Sequence, residues 1–202
     1  MTSLILASSS EVRGTLLRNA GFNIFQQVAD IDERALEEPL IQSDFPVPDI
    51  AIVLAEAKAQ DVSADNPHAL VVGADQTLSV EEGATVQQLH KTKTMEDARR
   101  QLLKLQGKTH SLHSAVCCVL NGEVLFRYQD DAHLTMRPLR PEEVGRYLSN
   151  AGDEVLGSVG CYHMEGLGIR LFEKIEGDYF TILGLPLLPL LNFFQENGYQ
   201  NI

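Results

Sequence analysis

Ala69-Leu-Val-Val-Gly-Ala-Asp75-Gln76-Thr77 carries more information than any other stretch of the 202-residue chain. Four apolar residues open it, two of them the β-branched Val71 and Val72. An apolar run without alternation reads as a strand buried on both faces, in a sheet covered by helices, and predicts an α/β fold. Gly73 and Ala74 then leave the backbone nearly bare, and the run ends on the carboxylate of Asp75. A charge at the end of a core strand is costly unless a cation meets it. In open α/β sheets, catalytic acids and metal ligands gather at such strand ends. A turn or capping role accounts for Asp75 equally well on this segment alone.

Toward the N-terminus, Leu4 to Ala7 predicts a first short strand. The hydroxyl loop Ser8-Ser9-Ser10 follows, then a helix from Val12 to Ala20 that Ser10 caps and Gly21 stops. Amides at such a helix start form a ready anion site, although serines that only cap a helix need no ligand. Phe22 to Ala29 predicts a second strand ending at the acidic turn Asp30-Ile-Asp-Glu33, and residues 34–48 predict a loop rich in proline and acid. Asp49 to Val62 predicts a helix with Ile50, Val53, Leu54 and Ala57 on one side. Lys58 comes one turn after Leu54, so it borders that apolar side. No other Lys or Arg lies between Arg34 and Lys91. Taken alone, Lys58 reads first as a surface lysine with a buried stem, and second as the mate of a specific acid.

Toward the C-terminus, Glu81-Glu82-Gly83 marks a turn, and Thr94 opens a helix whose period is Ala98, Leu102, Leu105 and whose stop is Gly107. Thr109 to Leu120 predicts a long strand, and Asn121-Gly122 a tight hairpin into a strand through Val124, Phe126 and Tyr128. Leu134 to Met136 predicts a further strand, Pro141 to Asn150 a helix. Ser158 to Gly168 is a glycine-dotted loop, Ile169 to Phe172 predicts a strand, and Leu185 to Asn197 a terminal core helix. Without repeats or linkers, residues 1–202 read as one domain.

The net charge of −12 argues against nucleic acid or an anionic membrane as partner. An anionic small molecule would need the cations gathered in one pocket. Cys117, Cys118 and Cys161 lack paired spacing and read as core residues of a reduced, cytoplasmic protein. No signal-peptide pattern opens the chain, and the apolar stretch Ile182 to Leu191 is too short and too broken for a membrane span. His110 and His113, three apart on a strand, point to opposite faces, so no zinc pattern emerges. Walker, Rossmann and G-x-S-x-G motifs are absent from the sequence.

One combination remains: the carboxylates Glu33 and Asp75, the serine loop followed by Arg13, and the lysines Lys58 and Lys91. Oxygen-only ligands in small number suit Mg²⁺ or Mn²⁺ carried with a phosphate chain.

Leu-Ile-Leu-Ala-Ser-Ser-Ser-Glu-Val-Arg13 resembles the opening of the Maf family. The resemblance continues through Asp32-Glu33, Leu54-Ala55-x-x-Lys58-Ala59, Gly73-Ala74-Asp75, Lys91, Ala98 to Leu105, the Glu165-Gly-Leu-Gly loop, Gly177-Asp178-Tyr179 and Gly184-Leu185-Pro186. It implies an elongated single domain with a long mixed sheet flanked by helices, a central cleft between two lobes, and a homodimer. It also implies a nucleoside triphosphate pyrophosphatase that cuts the α–β anhydride with a divalent metal, Mg²⁺ or Mn²⁺. By position, Asp75 would activate water, with Glu33 and Asp75 as metal ligands. Ser8, Ser10, Arg13, Lys58 and Lys91 would contact phosphates. The family pattern departs at Glu11 and at Thr92, where proline is usual. The family's link to septum formation leaves a second reading, a nucleotide-binding regulator of division with little turnover.

Val12, Gln76 and Glu165 fall where the family is thought to choose its substrate. Gln76 and Glu165 resemble the branch acting on 7-methylguanosine triphosphate. An ionised Glu165 accepts only, which suits the two N–H donors of guanine and not the carbonyl-flanked N–H of uracil or thymine. Val12 cannot stack on a methylated purine, and Glu165 as a simple loop cap is the competing account.

Overall fold

The computed structural model describes residues 3–43 and 45–199. In chain order the first elements are β1 (Leu4–Ala7), α1 (Glu11–Asn19), β2 (Ile24–Gln26), α2 (Glu33–Gln42) and α3 (Val47–Asp65). Next come β3 (Leu70–Glu82), β4 (Thr85–Leu89), α4 (Met95–Leu105), β5 (Thr109–Leu120) and β6 (Glu123–Met136). The last are α5 (Pro141–Ala151), β7 (Phe172–Glu176), α6 (Tyr179–Ile182) and α7 (Leu187–Glu196), with 3₁₀ turns at Asp153–Gly157 and Leu167–Leu171. The strands form one mixed sheet in the order β2-β1-β3-β5-β6-β7, with β4 paired to β3. This is the α/β class expected from the apolar run at Ala69.

Two compact units divide the chain. One takes the stretches up to Gln76, His113–Asp130 and Asp178 onward; the other takes Thr77–Leu112 and Asp131–Gly177. In the first, strict alternation sorts the strand residues into two layers. Leu4, Leu6, Leu70, Val72, Ala74, Val116 and Cys118 pack with Leu17 of α1 and Leu190 and Phe194 of α7. Ile5, Ala7, Val71, Ala115, Cys117 and Val119 pack on Ala51, Ala55, Ala59 and Val62 of α3. Both faces of these strands are therefore covered, which is why they lack alternation.

The alanine stripe of α3 lets its backbone lie close to the sheet, and Gly73 is the point of closest approach. A Cβ there would meet Ala55 O at 2.1 Å and Ala59 Cβ and N at 2.8 Å. In the second unit, His110, Tyr162 and Phe172 form an aromatic cluster with ring centroids 4.8 to 5.8 Å apart. His110 Nε2 is 2.7 Å from the Tyr162 hydroxyl. No helix among the described residues is long and apolar enough to cross a membrane.

Several expectations held. Ser10 and Thr94 cap α1 and α4, accepting from Arg13 N and Asp97 N. Asn121 and Gly122 take φ of 54° and 75°, the left-handed pair of a type I′ hairpin.

Others need correction. Asp75 does not end its strand, because β3 changes neighbours and continues. Its parallel pairing with β1 runs from Leu70 to Gly73, and its antiparallel pairing with β4 begins at Leu78. Residues 34–48 are not a loop throughout: Asp32 accepts from Ala35 N and starts α2, and Pro39 removes only the bond back to residue 35. The second strand shrinks to three residues because β1 offers only Leu4, Ile5 and Leu6 as register partners. The strand expected to break after Tyr128 is continuous as β6, since β5 and then β7 supply neighbours along its length. Finally, Leu167 to Leu171 is a 3₁₀ turn. A Cβ at Gly168 would lie 2.4 Å from His163 O, so the chain folds tightly back there before β7 begins.

Candidate functional site

The contacts around Ser8, Arg13, Lys58 and Gln76 lie within the first unit. Beyond β1 the chain leaves the sheet as Ser8-Ser9-Ser10. The Ser8 hydroxyl accepts from Ser10 N at 3.2 Å and from Arg13 Nη1 at 3.1 Å. The Gln26 amide donates to Ser8 O at 3.2 Å and Ser10 O at 3.1 Å, pinning the loop through two of its carbonyls. Gly14 makes room for that amide, since a Cβ there would meet Gln26 Oε1 at 2.6 Å. Gln26 escaped the sequence reading because nothing marks a polar residue on a short strand as a loop anchor. Glu11 turns its exposed carboxylate to Arg18, 3.5 Å away.

Arg13 is the most constrained cation of the unit. Its Nε donates to Gly184 O at 2.7 Å and its Nη1 to Ala74 O at 2.8 Å. Gly184 has φ of 93°, and a Cβ there would press on Arg13 Nε at 3.3 Å. Glycine thus satisfies both the turn and the close approach. Burial pulls the Arg13 guanidinium below its ordinary value, and the carboxylates of Asp75 and Glu33 pull it back up. An arginine remains charged regardless, so a buried permanent cation faces Asp75 and Glu33 from the α1 side.

Those two carboxylates meet on one ammonium. Lys58 Nζ lies 2.5 Å from Asp75 Oδ1 and 2.7 Å from Glu33 Oε1. The side chains of Lys58 and Asp75 are each only 11% exposed, whereas Glu33 is 52% exposed and carries the cluster out to solvent. Lys58 is therefore not the snorkelling surface lysine it resembles in isolation. It continues the buried row Ile50, Leu54 at one-turn spacing, and the close approach at Gly73 sets that row against β3. Glu33 stands first in α2, so the Asp32 cap that begins the helix also places it. Asp75 and the isolated lysine, ambiguous singly in the sequence, are each other's partners.

Gln76 points the other way, as alternation along β3 requires. Its Nε2 donates to Ser114 Oγ at 2.9 Å and faces the carbonyls of Thr181 and Ile182, each at 3.1 Å. Carbonyls only accept, so the amide nitrogen must face α6 and Oε1 is the end turned away. Ser114 donates to Thr181 O at 2.7 Å, and the Thr181 hydroxyl donates to Asp130 Oδ2 at 2.9 Å. Asp178 starts α6 by accepting from Phe180 N and Thr181 N. This polar chain from buried Ser114 and Thr181 to half-buried Asp130 was not legible in the sequence.

Of the candidate residues, Ser8 joins Arg13, and Lys58 joins Asp75 and Glu33, while Ser10 caps α1, Gln76 lies on the opposite side of β3, and Val12 is half-buried in the first turn of α1. Lys91 and Glu165 belong to the second unit, both exposed. There the Thr92 hydroxyl lies 3.4 Å from Cys161 Sγ, so a side-chain contact anchors the backbone next to Lys91 where proline is usual. Burial pushes the Cys117 thiol up to about 12, which leaves it a core residue without thiolate reactivity.

The Maf-like protein family model matches residues 3–197. A Brucella abortus biovar 1 protein named 7-methyl-GTP pyrophosphatase is 55% identical over 188 residues, covering 93% of this chain and 92% of its own. Proteins of the same name from Rhizobium etli and Bartonella henselae are 51% and 48% identical. They cover 96% and 94% of this chain, and 96% and 92% of their own. With the family model spanning nearly every described residue, the chain belongs to the Maf family.

Proposed function

We propose that this chain is a nucleoside triphosphate pyrophosphatase that hydrolyses the α–β anhydride and acts on 7-methylguanosine triphosphate. The observation that carries the reading is the meeting of Asp75 and Glu33 on Lys58 Nζ, next to a buried arginine held by Ser8 and Ala74. Phosphoryl chemistry asks the protein mainly for positioning and charge neutralisation. Asp75 accepts a proton from a water whose oxygen bonds to the α-phosphorus. The α–β bridging bond breaks, and pyrophosphate leaves with the bond's electron pair. Arg13, tied to two backbone carbonyls, holds its charge in place without reorganisation, and Ser8, Ser10 and Lys58 add donors for phosphate oxygens.

The donor set also fits Mg²⁺ or Mn²⁺, because the two carboxylates already converge on a single cationic centre. Such an ion, held by Asp75 and Glu33, would supply charge neutralisation at the phosphates. The 7-methylguanosine assignment rests on the names of the relatives and on the acceptor-only chemistry of Glu165.

The test is a panel of 7-methylguanosine triphosphate, GTP, UTP and dTTP, with Mg²⁺ and Mn²⁺ compared and products identified. Monophosphate and pyrophosphate are expected, with Asp75→Asn losing roughly 10²- to 10⁴-fold in turnover. Glu165→Gln should impair guanine substrates selectively. Inorganic phosphate as the product, or unchanged turnover in Asp75→Asn, would overturn the proposal.

A further inference from the structure

The second unit holds a cavity that the proposed chemistry does not use. Its volume is about 330 Å³, at the small end of ligand sites. Arg137, Arg146 and Arg170 line it from three separate segments: the residue after β6, the middle of α5, and the Leu167–Leu171 turn. Leu139, Leu167 and Leu171 supply apolar lining. The bond from Arg137 N to Leu171 O, 2.9 Å, ties two of these segments together, so the arrangement belongs to the fold.

The charge balance makes this trio unusual. The chain carries 28 acids against 16 Lys and Arg. Yet among the described residues none of the three guanidiniums makes an ion pair or a side-chain hydrogen bond with an acid. The one carboxylate at the cavity, Glu143, is already engaged: its Oε2 accepts from Arg140 N at 2.9 Å and Arg140 Nε at 3.2 Å. Three guanidiniums without an ion pair among the described residues therefore line one partly apolar cavity, Arg137 acting on Glu143 only electrostatically, in a chain of net charge −12. Guanidinium forks match the several oxygens of one phosphate, and a leucine-lined wall receives an apolar or aromatic body.

We propose that this cavity is a binding site for small phosphate monoesters with an aromatic or apolar body, independent of the Asp75 site. Both halves of the ligand matter: the phosphate for the arginines, the body for the leucines.

The experiment uses the full chain and three probes, phenyl phosphate, inorganic phosphate and benzoate, followed through the arginine Nε–H signals by NMR. Saturable shifts at Arg137, Arg146 and Arg170 are expected with phenyl phosphate, and weaker binding with the other two. Arg146→Gln and Arg170→Gln replace exposed side chains with no partner among the described residues, so folding should be unaffected. Each should weaken phenyl phosphate by roughly tenfold, about the loss of one charge-assisted contact. Glu143→Gln, which keeps the acceptor for Arg140, should tighten it. Arg13 reports separately on the Asp75 site. Shifts confined to Arg13, benzoate or inorganic phosphate binding as tightly as phenyl phosphate, or unchanged affinity in both arginine variants would each overturn the proposal.

Discussion

Replacing Gly73 by alanine adds one methyl group, and its effect can be worked from distances. The new Cβ would lie 2.1 Å from Ala55 O, while such contacts do not fall below about 3.0 Å. Helix α3 or strand β3 must therefore give way by at least ~0.9 Å. Lys58 lies on α3 and Asp75 on β3, so their 2.5 Å contact opens by a similar amount. Overpacking of this kind costs roughly 1–3 kcal/mol, and a misplacement of about 1 Å in a catalytic group costs on the order of 10²-fold in rate. Urea unfolding should show the first loss, and pyrophosphate release measured as kcat/KM the second. A second substitution, Ala59→Gly, removes the 2.8 Å contact with Ala59 Cβ but leaves the Ala55 carbonyl in place. It should recover only a minor part of either loss. Wild-type stability and kcat/KM in Gly73→Ala, or full recovery by Ala59→Gly, would refute the idea that this close approach sets the lysine against the aspartate.

Lys58→Met should abolish measurable turnover while raising the affinity for Mn²⁺ without nucleotide, since the ammonium no longer sits between Asp75 and Glu33; electron paramagnetic resonance titration reads the affinity. Arg13→Lys cannot span Gly184 O and Ala74 O with one compact ammonium, and should destabilise the chain by about 2–4 kcal/mol in urea. His110 in the second unit is held down to about 4 by burial, against an ordinary value of ~6.5. Its neutral form therefore contributes stability in full above pH ~6.5, and this is lost as pH falls through 4. Between pH 7 and 4.5 the stability difference between wild type and His110→Gln should narrow by about 2 kcal/mol, and parallel profiles would contradict the assignment.

The legible parts of this molecule were those decided by local chemistry. The doubly buried run at Ala69, the Ser10 and Thr94 caps and the Asn121-Gly122 turn each need only their neighbours to declare themselves. Asp75 and Lys58 were visible as anomalies, a carboxylate and an ammonium in apolar settings, but their pairing depends on how closely α3 approaches β3. That depends on Gly73 and an alanine stripe whose meaning is tertiary. Gln26, Ser114 and Thr181 were missed because common polar residues acquire a role only from what the fold sets opposite them. Helix α2 was missed for a different reason: Pro39 outweighed, in the reading, the Asp32 cap that governs in the structure.

The bond from Arg13 to Gly184 spans 171 positions of chain. On a ribosome adding about 5–20 residues per second, roughly ten to thirty seconds separate the synthesis of donor and acceptor. Throughout that interval the guanidinium lacks the turn that receives it, and the serine loop lacks its finished arginine support. A nascent or C-terminally truncated chain should therefore carry the strand and helices of its first half without a competent phosphate site. Competence would arrive late and all at once, when the last turn before the terminal helix closes over the arginine.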